Sequence, residues 1–203
     1  MHWDRLFEDL EGQLAAEWES ERAALSAESE RLRISRLDLR SRLRLMCEVG
    51  ASVAIELAND RRLPVTVRTL GADWIAVESA PGDDVLHGRS VRIVPLHAVR
   101  GIRADHGTIL ASLETAAESD TPLRERMTFG FVLRDLARRR VPVHLSLLIG
   151  DDVHGTIDRA GADHLDLAVH DAGTARLTGA VQGFRLIPFS AVAAVRTPGD
   201  HRP

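Results

Sequence analysis

Apolar positions along the chain follow two periods in turn. In residues 2–47, Trp3, Phe7, Leu10, Leu14 and Trp18 fall three or four residues apart, which draws one apolar stripe along a helix. Trp18, Leu25, Leu32, Leu39 and Met46 continue at a spacing of seven, while the companion lane holds Glu21, Glu28 and Ser35. That is half of a coiled-coil seam, because only one of its two lanes is apolar. No Gly or Pro lies between Gly12 and Gly50, so the pattern predicts one continuous helix, roughly 50 Å long at about 1.5 Å per residue. A small domain cannot cover that length. Part of the helix is expected to stand free or to pair with another chain.

From residue 51 the period shortens to two. Val53, Ile55, Leu57 and then Val65, Val67 alternate with polar or small residues, as half-buried strands do. The pattern then returns. Leu70-Gly71-Ala72-Asp73-Trp74-Ile75-Ala76-Val77 aligns with Ala160-Gly161-Ala162-Asp163-His164-Leu165-Asp166-Leu167 at an offset of 90 residues, which also places Val53, Ile55, Leu57 on Val143, Leu145, Leu147. Val91 to Arg103 aligns with Phe184 to Arg196 at an offset of 93, Pro95 on Pro188, so the second copy carries three extra residues in one hairpin loop. Gly71 and Gly161 sit at hairpin tips, where a positive φ is expected. Pro81-Gly82-Asp83-Asp84 and Asp171-Ala172-Gly173 are turn chemistry. Each copy predicts five short strands, with a break at the proline before the last. Five strands in so few residues predict a small closed barrel, which also removes the free edges an open sheet would carry.

Between the copies, Thr108 to Glu118 predicts a short helix, and Thr121-Pro122 reads as the start of a second one over Leu123 to Arg139. Met127, Phe129, Phe131, Leu133 and Leu136 make that helix apolar on more than one side, as expected if it packs between the barrels. The expected organisation is α+β. It comprises an N-terminal long helix over 1–49, a first small barrel over 50–107, a helical connector over 108–140, a second barrel over 141–198 and a disordered tail over 199–203.

Both copies share an apolar-Gly-x-Asp-apolar motif followed by an apolar-Pro-apolar strand and a final Ala-Val strand, best seen in Val153 to Val169 and Leu186 to Val195. This pattern resembles the SH3-like small barrels of the Sm-like superfamily, over about residues 51–104 and 141–197. The resemblance implies five-stranded barrels that bind RNA or assemble with neighbours through loops and strand edges. Where that family carries an RNA-contacting Asn, this chain has Ala76 and Asp166. Where it carries an Arg-Gly pair, this chain has Pro95-Leu96 and Pro188-Phe189. Both departures remove the donors that would read a base.

Composition narrows the function classes. The chain has 203 residues, 30 acidic against 26 basic, all of the latter Arg, for a net charge of −4. Residues 1–30 hold nine acids and two Arg, whereas 31–48 hold six Arg and two acids, an order that complements a helix dipole or favours antiparallel pairing. Residues 51–107 balance seven Arg with seven acids, and 141–203 hold five against seven, so the repeats are not basic surfaces for phosphate. The N-terminus is acidic and amphipathic rather than basic and then apolar, and a cytoplasmic protein without a membrane span is expected.

Catalytic motifs are absent from the sequence: there is no Walker loop, GxGxxG, HExxH, GxSxG or CxxC. Cys47, the only cysteine, lies beside Met46 and reads as packing. Of the nine histidines, His144, His154, His164 and His170 cluster in the second copy, and strand alternation brings His154 near His164. Their first-copy counterparts are Pro64 and Trp74, so no metal site is shared by the copies and the histidines read as solvated strand residues. Asp151-Asp152 and Asp83-Asp84 read as turns rather than calcium loops. No cofactor and no metal is expected. The reading is a non-catalytic binding or assembly module that uses its helix and the barrel edges, oligomeric or partner-bound through Trp3, Phe7, Leu14, Trp18, Leu25 and Leu32. The alternative is an RNA- or DNA-binding regulator using Arg31, Arg33, Arg36, Arg40, Arg138, Arg139 and Arg140, with Trp74 as the one stacking residue.

Overall fold

The computed structural model describes residues 3–79, 90–114, 122–173 and 176–197, with side chains from residue 10 onward except at residue 178. It divides into two compact units, residues 1–42 and 43–203. The first unit is built on α1 (Trp3–Ser35), a helix of 33 residues. It does not run on to residue 47 as expected. The chain leaves the helix at 36–38, and a second helix, α2 (Leu39–Glu48), starts afresh under its own cap, the Asp38 carboxylate accepting from Ser41 N at 2.6 Å. A short acidic side chain that satisfies the first-turn donors favours a new start over helix continuation, and it does so without Gly or Pro.

The second unit, into which α2 runs from Leu43, carries ten strands. In chain order they are β1 (Ser52–Leu57), β2 (Arg62–Leu70), β3 (Trp74–Ser79), β4 (Val91–Pro95), β5 (Val99–Arg103), β6 (Pro142–Leu147), β7 (Val153–Ala160), β8 (His164–Val169), β9 (Gly183–Pro188) and β10 (Val192–Thr197). The prolines act as expected. Pro95 and Pro188 each end a strand, one 3₁₀ turn follows, and the last strand of the copy begins.

The expectation of two separate closed barrels is overturned. All ten strands form one open antiparallel sheet in the order β5-β1-β2-β3-β4-β10-β6-β7-β8-β9. Closing the first copy would require β4 to pair with β5, and closing the second would require β9 to pair with β10. Instead β4 and β10 pair with each other, Ile93 facing Val195 and Arg92 facing Arg196. The cores interleave across this junction. One buried cluster joins Trp74, Ala76, Val91 and Ile93 of the first copy to Val143, Leu145, Leu165 and Val195 of the second, and another takes Ala193 and Ala194 into the core around Ile55 and Val67.

The repeat is nevertheless exact in its local geometry. Gly71 N donates to Trp74 O and Gly161 N to His164 O, both at 2.8 Å; Leu96 N reaches Asp73 O at 2.8 Å and Phe189 N reaches Asp163 O at 2.7 Å. Both glycines have φ outside the positive region, contrary to expectation. What needs glycine is close approach: a Cβ at Gly71 would run into the Trp74 indole, and at Gly161 it would lie 2.7 Å from the His164 imidazole. The repeat also begins earlier than the strands suggest. Leu43 and Met46 of α2 stand 90 residues before Leu133 and Leu136 of α4 (Phe129–Arg138), and all four are buried. Each helix ends on a residue of positive φ, Gly50 at 59° and Arg140 at 55°, with Ala51 N and Val141 N closing back onto Met46 O and Leu136 O.

In the connector, Thr108 falls in the short helix α3 (His106–Ala111), capped by Asp105. The helix expected over Leu123–Arg139 is instead a 3₁₀ turn at Leu123–Arg126, a break, and α4, whose cap Thr128 accepts from Phe131 N through Oγ1 at 3.3 Å. α4 packs on β7, and a partly buried ion pair of Glu125 with Arg44, 2.8 Å, ties the connector to α2. Thr121 and the tail over 199–203 lie outside the described residues.

Candidate functional site

The residues expected to meet a partner are on α1. Leu10, Leu14, Trp18, Leu25 and Leu32 are between 46% and 69% exposed, and every side chain from residue 10 to 32 is exposed. Trp3 and Phe7 also fall in α1, with side chains outside the described residues. The seven-residue lane then splits, since Leu39 of α2 is exposed while Met46 turns into the core.

The arginines proposed for nucleic acid are placed differently. Arg31 pairs with Glu28 at 3.4 Å, and Arg33 with Glu30 at 2.6 Å, one helical turn away in each case. Arg36 lies in the break before α2, and Arg40 in its first turn. At the end of α4, Arg138 and Arg139 share the Asp135 carboxylate at 2.6 and 2.8 Å, and Arg140 reaches Asp158 at 2.8 Å. The charge of each cluster is thus largely answered within the chain. Trp74 is 2% exposed, its indole N–H donating to Met127 O at 2.9 Å. It has no open face on which a base could stack.

No protein-family model, curated protein or solved structure matches the chain.

Two features that sequence reasoning missed lie on the sheet. The first is a polar clasp between the β1–β2 turn and the second copy. Arg61 reaches Asp152 at 2.6 Å and Ser146 Oγ at 3.1 Å, Asn59 Nδ2 donates to Leu147 O at 3.0 Å, and His144 Nε2 meets Asp152 at 3.1 Å. A pocket of about 160 Å³, also bordered by Arg92 and Arg196, opens beside them. Burial pushes the Asp152 carboxyl up, but the hydrogen bonds from Arg61 and His144 outweigh it and hold the group below its ordinary value. The contact order is that of a tie rather than a nucleophile site. Asp152 sits between Ser146 and His144, so the base that meets the Ser146 hydroxyl is a carboxylate already held by Arg61. The second feature is the outer strand β9, where Phe184 and Leu186 are 67% and 69% exposed.

His154 faces His144 and His170, with ring centroids 6.4 and 5.1 Å away, and not His164, which bonds Asp163 at the hairpin tip. Among the described residues no group of three His, Cys, Asp or Glu is placed to hold a metal ion. The Cys47 thiol is pushed up to about 12, chiefly by burial, which suits packing rather than nucleophilic chemistry. Also among the described residues, no helix is long and apolar enough to cross a membrane.

The histidine group sets a pH dependence. Burial holds His154 below its ordinary 6.5, reinforced by the neighbouring His170, His144 and Arg196 against a hydrogen bond to the His170 carbonyl. The unfolded chain then binds a proton that the folded chain resists, so stability is expected to fall as pH drops below about 6.5. Urea unfolding at stepped pH checks this. In His154→Gln that part of the profile is expected to flatten, and an unaltered slope would refute the assignment.

Proposed function

We propose that the chain is a non-catalytic assembly module, in which α1 presents its apolar lane to the same lane of a second copy. The exposed lane of Leu14, Trp18 and Leu25 on a helix of 33 residues carries this reading. A helix with no packed face is marginal in water, since most helical stability in proteins comes from burying one face. Nine acids against four Arg make in-register parallel pairing repulsive. An antiparallel pair centred between residues 19 and 20 sets Leu14 against Leu25 twice and Arg22 against Glu17. Burying those leucines is worth about 1.5–3 kcal/mol each before ordering costs.

Light scattering on the eluting full chain is the test. The wild type is expected to run above the mass of one chain, and Trp18→Glu/Leu25→Glu to lose the α1 contribution with an unchanged thermal melt of the sheet unit. A wild type that elutes as one chain at every concentration sinks the reading. Salt-sensitive nucleic-acid binding that vanishes on charge reversal at Arg31, Arg33, Arg36 and Arg40 would favour the regulator instead.

A further inference from the structure

The repeat makes the two ends of the sheet complementary. Inside the chain, β4 and β10 pair antiparallel, with Ile93 facing Val195, Arg92 facing Arg196 and Val91 facing Thr197. At the 93-residue offset, β9 is the second copy's β4, and β5 is the first copy's β10. Those two counterparts are the strands left at the ends of the sheet.

Exposure follows this difference in pairing. Val91 and Ile93 are 6% and 0% exposed, whereas their counterparts Phe184 and Leu186 are 67% and 69% exposed. Val91 and Ile93 belong to the cluster of Val143, Leu145, Val192 and Val195, so β4 fills the core of the copy next to it. Phe184 and Leu186 are apolar side chains of greater or equal bulk at the same positions. They border an open depression of about 430 Å³ instead of a neighbouring core. The receiving side differs in the same way. β10 is buried at every position but Arg196, while β5 leaves Arg100 and Arg103 exposed and Val99, Gly101 and Ile102 half-covered.

We propose that β9 of one copy pairs with β5 of a second copy, repeating between chains the junction that β4 and β10 make within one. The register follows from the repeat: Leu186 faces Ile102, Arg185 faces Arg103, and Phe184 faces Ala104. The facing arginines are no obstacle, because Arg92 and Arg196 already face each other in the internal junction. Arg103 also keeps Glu56 at 2.5 Å as a counter-charge. The occupant is this chain rather than an arbitrary strand, since β5 supplies the β10 pattern that β9, as a second β4, matches. An end strand with unmatched apolar side chains is a template for pairing. The interface is heterologous: each added copy brings another free β9 or β5, so growth ends only where a ring closes.

This proposal rests on the assembly reading but uses another surface, and the test separates them. In a Trp18→Glu/Leu25→Glu background, sedimentation over a concentration series is expected to show masses passing beyond two chains. Phe184→Asp/Leu186→Asp on β9, and separately Ala104→Glu one residue past β5, are each expected to weaken association about 100-fold or more by burying an unpaired carboxylate. Mixed in equal amounts, the two variants have one intact edge each and are expected to form a two-chain complex that grows no further. Thermal melts monitored by circular dichroism control for folding, and because the changes lie at opposite ends of the sheet, misfolding of one leaves the other as the test. A mixture that stays monomeric, or a β9 variant that associates like its parent, overturns edge pairing. Association that disappears with the α1 changes alone overturns edge pairing and upholds the assembly reading. A wild type that is one chain throughout overturns both.

Discussion

Trp74→Ala is expected to lower the unfolding free energy by about 3–5 kcal/mol, the range for truncating a fully buried aromatic side chain. The indole lies in the cluster that joins the two copies, and it also covers Gly71, whose lack of a Cβ makes room for it. Beyond volume, the variant loses a hydrogen bond, because the indole N–H donates to Met127 O. The same carbonyl receives Ala72 N at 2.9 Å, and the Asp73 carboxylate receives Phe129 N at 2.6 Å. The β2–β3 hairpin tip therefore holds the segment that leads into α4. Urea denaturation should show a lower midpoint at similar slope. Trp74→Phe is expected to recover most of the packing while still losing the donor, leaving a cost of about 0.5–1.5 kcal/mol, since Ala72 N still serves Met127 O. A loss below about 1 kcal/mol for Trp74→Ala would contradict the placement of this ring at the joint between the copies.

Much of this architecture was legible. The period of two at Val53, Ile55, Leu57 and Val65, Val67 located β1 and β2, and the 90-residue offset aligned turns that match in hydrogen bonding. Pro95 and Pro188 marked the breaks before the last strands. What the pattern could not encode was the neighbour of β4. Alternation tells which face of a strand is apolar and is silent on which strand lies beside it, so Val91 and Ile93 read the same as Phe184 and Leu186. One pair is core and the other is surface. Closure of each copy was inferred to remove free edges, whereas the chain removes two of its four by joining copies.

The helix break was hidden for a related reason: Asp38 is an ordinary residue in a helical pattern until its carboxylate is seen capping Ser41. Trp74 reads from the sequence as the one residue on which a base could stack, because its position at a turn flank conceals a buried ring with a fixed hydrogen-bond partner. The local pairing of the Arg runs is invisible to composition. Arg31 and Arg33 have a glutamate three residues before them, and Arg138 and Arg139 have Asp135 on the same helix face, so local pairing absorbs charge that a segment count records as free.

Gly155→Ala is expected to cost about 3 kcal/mol, at the upper end for forcing atoms into a packed site. Its first-copy counterpart is Val65, a buried core side chain, so the repeat itself does not demand glycine at this position. The demand comes from β8. A Cβ on Gly155 would run into the Ala168 carbonyl oxygen and lie 3.1 Å from Leu167 Cγ, and the obstruction is backbone, which cannot swing aside as a side chain end does. Two strands brought this close at one residue, directly after the His154–His170 contact, leave the methyl group no exit except by separating β7 from β8. Gly183→Ala serves as the control, because nothing lies within 4 Å of its would-be Cβ and its φ is not positive. Equal unfolding midpoints for the two variants would show that β8 can retreat, and with it that the second copy tolerates a valine-like position where the first already has one.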